Sequence, residues 1–149
     1  MDATLLALLD ELARFGQDND ARETERPRRM LNITPETGRL LWILVRQARA
    51  TRILEVGTSN AYSTIWLADA ARETGGRVVT LEANPSKVAL ARENLGRAGL
   101  LDRVEVLGAG RLGGHPHRWR QAVEDAARGP GGEGVGPAAG LEHAGRPGD

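Results

Sequence analysis

The chain has 149 residues, a length that suits one domain and excludes a comfortable two-domain enzyme. Its 20 basic and 20 acidic residues cancel, so no net field draws the protein to nucleic acid or to a membrane surface. Cysteine is absent, which excludes a disulfide framework, a thiolate zinc site and a cysteine nucleophile.

No apolar run approaches the ~20 residues that a membrane span needs. Leu5-Leu6-Ala7-Leu8-Leu9 is too short for a signal core and follows Asp2 instead of a basic region. A cytoplasmic protein is the resulting expectation. All basic residues are Arg except Lys87, and their scatter marks a coding bias, not a binding patch. Glycine divides the chain: seven of the 19 lie in residues 1–107 and twelve in residues 108–149, beside only four Leu or Val. The first part can build a core, and the second is expected not to. Three regions follow: a helix and polar linker over 1–29, an α/β half-domain over 30–110, and a Gly/Pro/Arg-rich tail over 111–149, expected to be disordered.

Leu5, Leu8, Leu9, Leu12 and Phe15 recur at helical spacing, which predicts an amphipathic helix over 3–15 closed by Gly16. Gln17 to Arg29 is polar throughout and reads as a solvated linker. Thr34 caps a second helix, with Pro35 in its first turn and Glu36 suited to the helix dipole. Leu40, Leu41, Leu44, Val45 and Ala48 are its expected buried stripe. A strand over 52–56, a small-residue loop over 57–60 and a helix over 61–73 come next, with Ile65, Trp66 and Ala68 facing inward. Arg77-Val78-Val79-Thr80-Leu81 is near-continuously apolar, as a sheet covered on both faces requires. A helix from Asn84-Pro85 to Gly99 carries Val88, Ala91, Leu95 and Ala98, and a third strand covers 103–107. Strand, helix, strand, helix, strand with short connections is half of a doubly wound α/β fold. Beyond it only Trp119 to Arg128 has helical spacing. Without further strands, Val104, Val106 and Leu107 are expected to lie at a bared edge.

In parallel α/β sheets, ligands bind beyond the carboxyl ends of the strands. Glu55-Val56-Gly57-Thr58-Ser59-Asn60-Ala61-Tyr62-Ser63 is such a loop, opening onto the free amides of a helix start. Glu82 ends the next strand, where a carboxylate can accept both hydroxyls of a ribose. A dinucleotide site would want G-x-G-x-x-G, yet Gly57, Ser59 and Tyr62 stand at those places. S-adenosylmethionine has no phosphate to cradle, and this loop suits it better than a nicotinamide cofactor.

Met30-Leu31-Asn32-Ile33-Thr34-Pro35-Glu36-Thr37-Gly38 followed by Ile53 to Ser63 resembles the bacterial S-adenosylmethionine-dependent O-methyltransferases related to catechol O-methyltransferase. The likeness runs from about residue 30 to 107. It implies the Rossmann-like doubly wound parallel sheet of class I methyltransferases, of which this chain carries the N-terminal half and the leading helices. It also implies a divalent metal (Mg), methyl transfer to a small-molecule hydroxyl, and a possible homodimer. Carried onto this sequence, Ile33 would line the cofactor pocket, and Glu55 and Gly57 would bracket the methionine portion. Ser63 would reach the cofactor carboxylate and Glu82 would hold the ribose.

Each residue has a plainer reading. Ile33 can be a hydrophobic staple, Glu55 a strand-end charge, Ser63 a helix-turn hydroxyl and Glu82 a solvated acid. Ala61 stands where the family usually has Gly; if that position needs positive φ, Ala costs about 1–2 kcal/mol. No family-type metal ligand or Lys base is found after residue 107, and His115-Pro116-His117 is more often incidental than a metal site. The catalytic residues are therefore unassigned, and the alternative is an incomplete, non-catalytic cofactor-binding module.

Overall fold

A computed structural model describes residues 1–108 together with Arg120, Gln121, Val123 and Glu124. The elements run α1 (Ala3–Arg22), a 3-10 turn (Arg26–Arg28), α2 (Pro35–Gln47), β1 (Arg52–Val56), α3 (Tyr62–Thr74), β2 (Arg77–Glu82), α4 (Pro85–Arg97) and β3 (Val104–Gly108). Local chemistry sets the starts. The Asp2 carboxylate accepts from Leu5 N at 2.8 Å, Thr34 Oγ1 from Thr37 N at 3.3 Å, and Asn84 Oδ1 from Ser86 N at 3.0 Å. Pro35 and Pro85 occupy first-turn positions, where no amide partner is needed.

The three strands are parallel in the order β1-β2-β3, with Leu54 opposite Val79, Val56 opposite Leu81 and Leu81 opposite Leu107. One face packs Ile53, Val78 and Val106 under α3 and α4, and α1 lays Leu5, Leu8, Leu9 and Leu12 onto the same core. On the other face Val79 and Val123 pack against Leu81 and Leu107. The α/β half of a doubly wound sheet expected from the sequence is thus present. Among the described residues, no helix is long and apolar enough to cross a membrane.

Four expectations need correction. α1 continues to Arg22 instead of ending at Gly16. Gly16 is a packing position: a Cβ there would lie 2.3 Å from Asn32 Nδ2, which donates to Leu12 O at 3.1 Å. The stretch 17–29 is largely ordered, as the last turns of α1 and the 3-10 turn. The stripe on α2 is also different. Val45 is buried and Leu41 half-buried, while Leu40, Leu44 and Ala48 are exposed. α2 approaches α3 through Gly38, Leu41, Trp42 and Val45, and Trp42 Nε1 donates to the buried Asp69 carboxylate at 2.8 Å.

The last correction concerns the bared edge. Val106 and Leu107 are buried, but β1 has no outer neighbour among the described residues, and Val56 is 76% exposed. Spatial order follows sequence order, so β1 and β3 are both edges among the described residues; β3 is the edge expected, but its Val106 and Leu107 are covered by packing, and the exposed apolar side chains lie on β1. Of the Trp119–Arg128 helix, Arg120, Gln121, Val123 and Glu124 are helical. The remainder of it, and of the expected tail, lies outside the described residues.

Gly38 gives a test by sign. Its missing side chain admits the Trp66 indole, and a Cβ would stand 2.4 Å from Trp66 Nε1. Helix propensity alone predicts that Gly38→Ala stabilises by about 1 kcal/mol. Overpacking against a buried ring costs about 1–3 kcal/mol, so the expected outcome is net destabilisation, read as a lower denaturant midpoint.

Candidate cofactor site

The site is built at the carboxyl ends of β1 and β2. Gly57 leaves β1 with φ 97°, and Gly57 N and Thr58 N both donate to Leu81 O, at 2.8 and 3.2 Å. A side chain on Gly57 would meet no protein atom within 4 Å. The glycine therefore faces open space, and its positive φ excludes most other residues.

The loop then passes through two more left-handed positions, Ser59 at φ 51° and Ala61 at φ 67°. Ala61 does carry the positive φ, at a cost of about 1–2 kcal/mol. Surrounding bonds hold this conformation. Ala61 N donates to Thr58 O at 2.8 Å, and the Thr58 and Thr80 hydroxyls meet at 2.7 Å. Asn94 Nδ2 donates to Asn60 O at 2.9 Å, and Asn60 Oδ1 accepts from Tyr62 N at 3.3 Å.

Glu55 points to the helix-covered face of β1. Its Oε1 accepts from Ser63 Oγ at 2.6 Å, and its Oε2 from Thr64 Oγ1 at 2.5 Å and Thr80 Oγ1 at 2.6 Å. Burial pushes its pKa above the ordinary carboxyl value, the three hydroxyls oppose the rise, and the charge on Glu82 adds to it. Glu82 is 8% exposed. Its Oε2 accepts from Ser59 N and its Oε1 from Asn84 N, both at 2.8 Å. Each oxygen thus has one main-chain donor and lone pairs to spare.

The structure brings Glu55, Gly57, Ser63 and Glu82 to one strand end. Ile33, next to the α2 cap, is half-buried against the main core. Reading the sequence missed Ser59, Thr80, Asn84 and Thr64 as the groups that fix these acids. Thr80 had a signal, being the one polar residue between the two ends of an apolar strand and level with Glu55. Ser59 had none, since its role depends on a fold of Met30 back onto the loop: Ser59 Oγ donates to Met30 O at 2.7 Å.

A Rossmann-like half-sheet with its Gly-led loop defines an α/β protein of nucleotide-cofactor architecture. The O-methyltransferase family profile matches residues 4–113, and the chain belongs to that family. It is 42% identical over 107 residues to the catechol O-methyltransferase of Mycobacterium tuberculosis, covering 72% of this chain and 46% of that one. To the catechol O-methyltransferase of Niastella koreensis it is 36% identical over 105 residues, covering 70% and 42%. Among solved structures it resembles the O-methyltransferase from Bacillus cereus in complex with SAH, with 38% identity and a TM-score of 0.59. That match covers 83% of this chain and 49% of the other. A Streptomyces achromogenes O-methyltransferase involved in tomaymycin synthesis, in complex with SAM, gives 34% identity, a TM-score of 0.54, and coverage of 72% and 43%. The chain thus spans slightly less than half the length of the relatives it matches.

The raised pKa of Glu55 fixes the sign of a pH effect. Above its unfolded value of about 4.5 the unfolded chain releases this proton before the folded one, so stability attributable to the group is lost as pH rises through the folded pKa. Glu55→Gln is expected to remove that slope. The difference in unfolding free energy, wild type minus variant, should fall with rising pH across this window; a difference that grows would contradict the assigned direction.

Proposed function

We propose that this chain binds S-adenosylmethionine at the β1–β2 strand ends and serves methyl transfer to a hydroxyl of a small molecule. The observation that carries the reading is the Glu82 carboxylate. It is buried, held by Ser59 N and Asn84 N, and keeps an open lone pair on each oxygen beside the space at Gly57. A vicinal diol such as a ribose edge matches two acceptors so spaced. The catechol O-methyltransferase names of two relatives and the SAM and SAH in two solved neighbours support the same cofactor and acceptor class.

The residues present fit such a cofactor. The open face of Gly57 leaves room for a ligand to touch the backbone, and Ile33 would supply an apolar wall. The first-turn amides of α3 offer donors to a carboxylate. Ser63 would act there through its main-chain N–H, because its hydroxyl proton is given to Glu55. Glu55 keeps that turn in place. S-adenosylmethionine supplies an electrophilic methyl group on a sulfonium; in the transfer an oxygen–methyl bond forms, the carbon–sulfur bond breaks, and the acceptor hydroxyl gives up its proton.

No described residue is assigned as the base. Lys87 Nζ donates to Arg29 O at 2.6 Å, away from that task. For the divalent metal implied by the resemblance, there is no cluster of three His, Cys, Asp or Glu among the described residues. This favours a second reading, a cofactor-binding unit without turnover of its own. Turnover of a simple catechol by the chain would exclude that second reading. A cytoplasmic location, where this cofactor is made and used, belongs to the same proposal, as does the absence of a nucleic-acid partner, supported by the balanced charge.

Saturating S-adenosylhomocysteine at a hundred times its dissociation constant should add about 2.7 kcal/mol to stability. A thermal melt is expected to shift upward with wild type and to stay in place with Glu82→Ala. An unshifted wild-type melt would refute the cofactor reading.

The exposed apolar side chains Leu54 and Val56 on the edge strand β1 support a homodimer. An edge strand with such side chains is a pairing surface. Leu54→Lys with Val56→Lys is expected to lower the mass-average size measured by sedimentation. A wild type that stays monomeric at high concentration would remove the homodimer from the proposal.

A further inference from the structure

The main chain from Pro27 to Leu31 is held almost entirely by side chains from elsewhere. Four consecutive carbonyls each accept from a different one. Pro27 O accepts from Asn84 Nδ2 at 3.4 Å, Arg28 O from Asn19 Nδ2 at 3.0 Å, Arg29 O from Lys87 Nζ at 2.6 Å, and Met30 O from Ser59 Oγ at 2.7 Å. The next two amides go to one carboxylate: Met30 N donates to Asp20 Oδ1 at 2.6 Å and Leu31 N to Asp20 Oδ2 at 2.8 Å.

Leu31 sits at φ 53°, a conformation that a side-chain-bearing residue holds only under outside constraint. Its own side chain is 49% exposed and returns little packing. The constraint therefore comes from the bonds, and the two charged contributors are Asp20 on α1 and Lys87 on α4. Three of the holding residues, Ser59, Asn84 and Lys87, lie at the strand ends that carry Glu55 and Glu82. The strap leads directly to Ile33.

We propose that Lys87 and Asp20 are positioning residues: they clasp residues 27–31 across the β1 loop, and so seat Ser59 and Ile33 for the cofactor. The role rests on the S-adenosylmethionine reading above. Ser59 is the link. Its hydroxyl holds Met30 O while its amide holds Glu82, so a strap that lifts away loosens the residue that orients the acid. A site competent only while the strap is seated has an apparent dissociation constant raised by the reciprocal of the seated fraction.

The test is calorimetric titration of S-adenosylhomocysteine into the full chain. Lys87→Met keeps the aliphatic stem and removes the donor, and Lys87→Arg restores a donor. Lys87→Met is expected to weaken binding roughly tenfold, the scale of a lost charge-assisted hydrogen bond, and Lys87→Arg to recover most of it. Asp20→Asn, which cannot accept both amides equally, should act in the same direction and serves if Lys87→Met fails to fold. In the double variant the losses should fall short of their product, because both act on one strap. Trypsin cleavage after Arg28 and Arg29 should be slowed by the ligand in wild type and less so in Lys87→Met.

Unchanged dissociation constants in Lys87→Met and Asp20→Asn, with tight wild-type binding, would overturn the clasp and leave the cofactor reading intact. A lower melting temperature with unchanged affinity would likewise reduce both residues to structural supports. No binding by wild type would overturn the cofactor reading and the clasp together.

Discussion

The structure turns on one buried carboxylate. Glu55 ends the face of β1 that α3 covers, and taking its charge from water is costly unless donors replace the water. Three hydroxyls do so, from Ser63 and Thr64 in the first turn of α3 and from Thr80 in the middle of β2. These bonds fix where α3 starts relative to two strands. They also require the chain to leave β1, turn through five residues and deliver Ser63 and Thr64 back to the acid. So short a return is what forces Gly57, Ser59 and Ala61 into positive φ. The strain in the loop and the anchoring of the acid are two aspects of one constraint.

Glu82 extends that constraint to the next strand. It shares the loop through Ser59 N and reaches Asn84 at the head of α4. Two acids on neighbouring strands thus have different surroundings. Glu55 is held by three hydroxyl donors and turned inward; Glu82 is held by two amides and keeps capacity for a ligand. The same residue type serves once as scaffold and once as a prospective contact, and the donors decide which.

Much of this was legible where the signal is local. The strand and helix order, the Thr34 and Asn84 caps and the Gly-led loop all follow from neighbouring residues. The α2 stripe failed for a physical reason: its packing arc runs through Gly38, and a hydrophobicity pattern ignores a glycine whose lack of a side chain admits Trp66. The end of α1 failed likewise, because Gly16 answers to Asn32 and not to helix termination. Residues 17–29 look solvated because their side chains are polar, yet it is their main chain that is bound. Polarity of a side chain says nothing about who satisfies its carbonyl. The exposed apolar flank on β1 was hidden too, since the apolar spacing of a strand does not say which of its side chains another element covers.

What the described residues hold is unequal in a way that follows from topology. The candidate site at the β1–β2 strand ends draws on β1, its loop, α3 and β2, all contiguous within about thirty residues, from Ile53 to Glu82. Under the proposed function, an acceptor hydroxyl would approach in line with the sulfonium, and none of the described residues is assigned to orient or deprotonate it. Leu54 and Val56 are exposed apolar side chains on β1, while Lys87, the only lysine of the chain, is held by the strap. Under the proposed function, the described residues account for cofactor binding and not for acceptor chemistry.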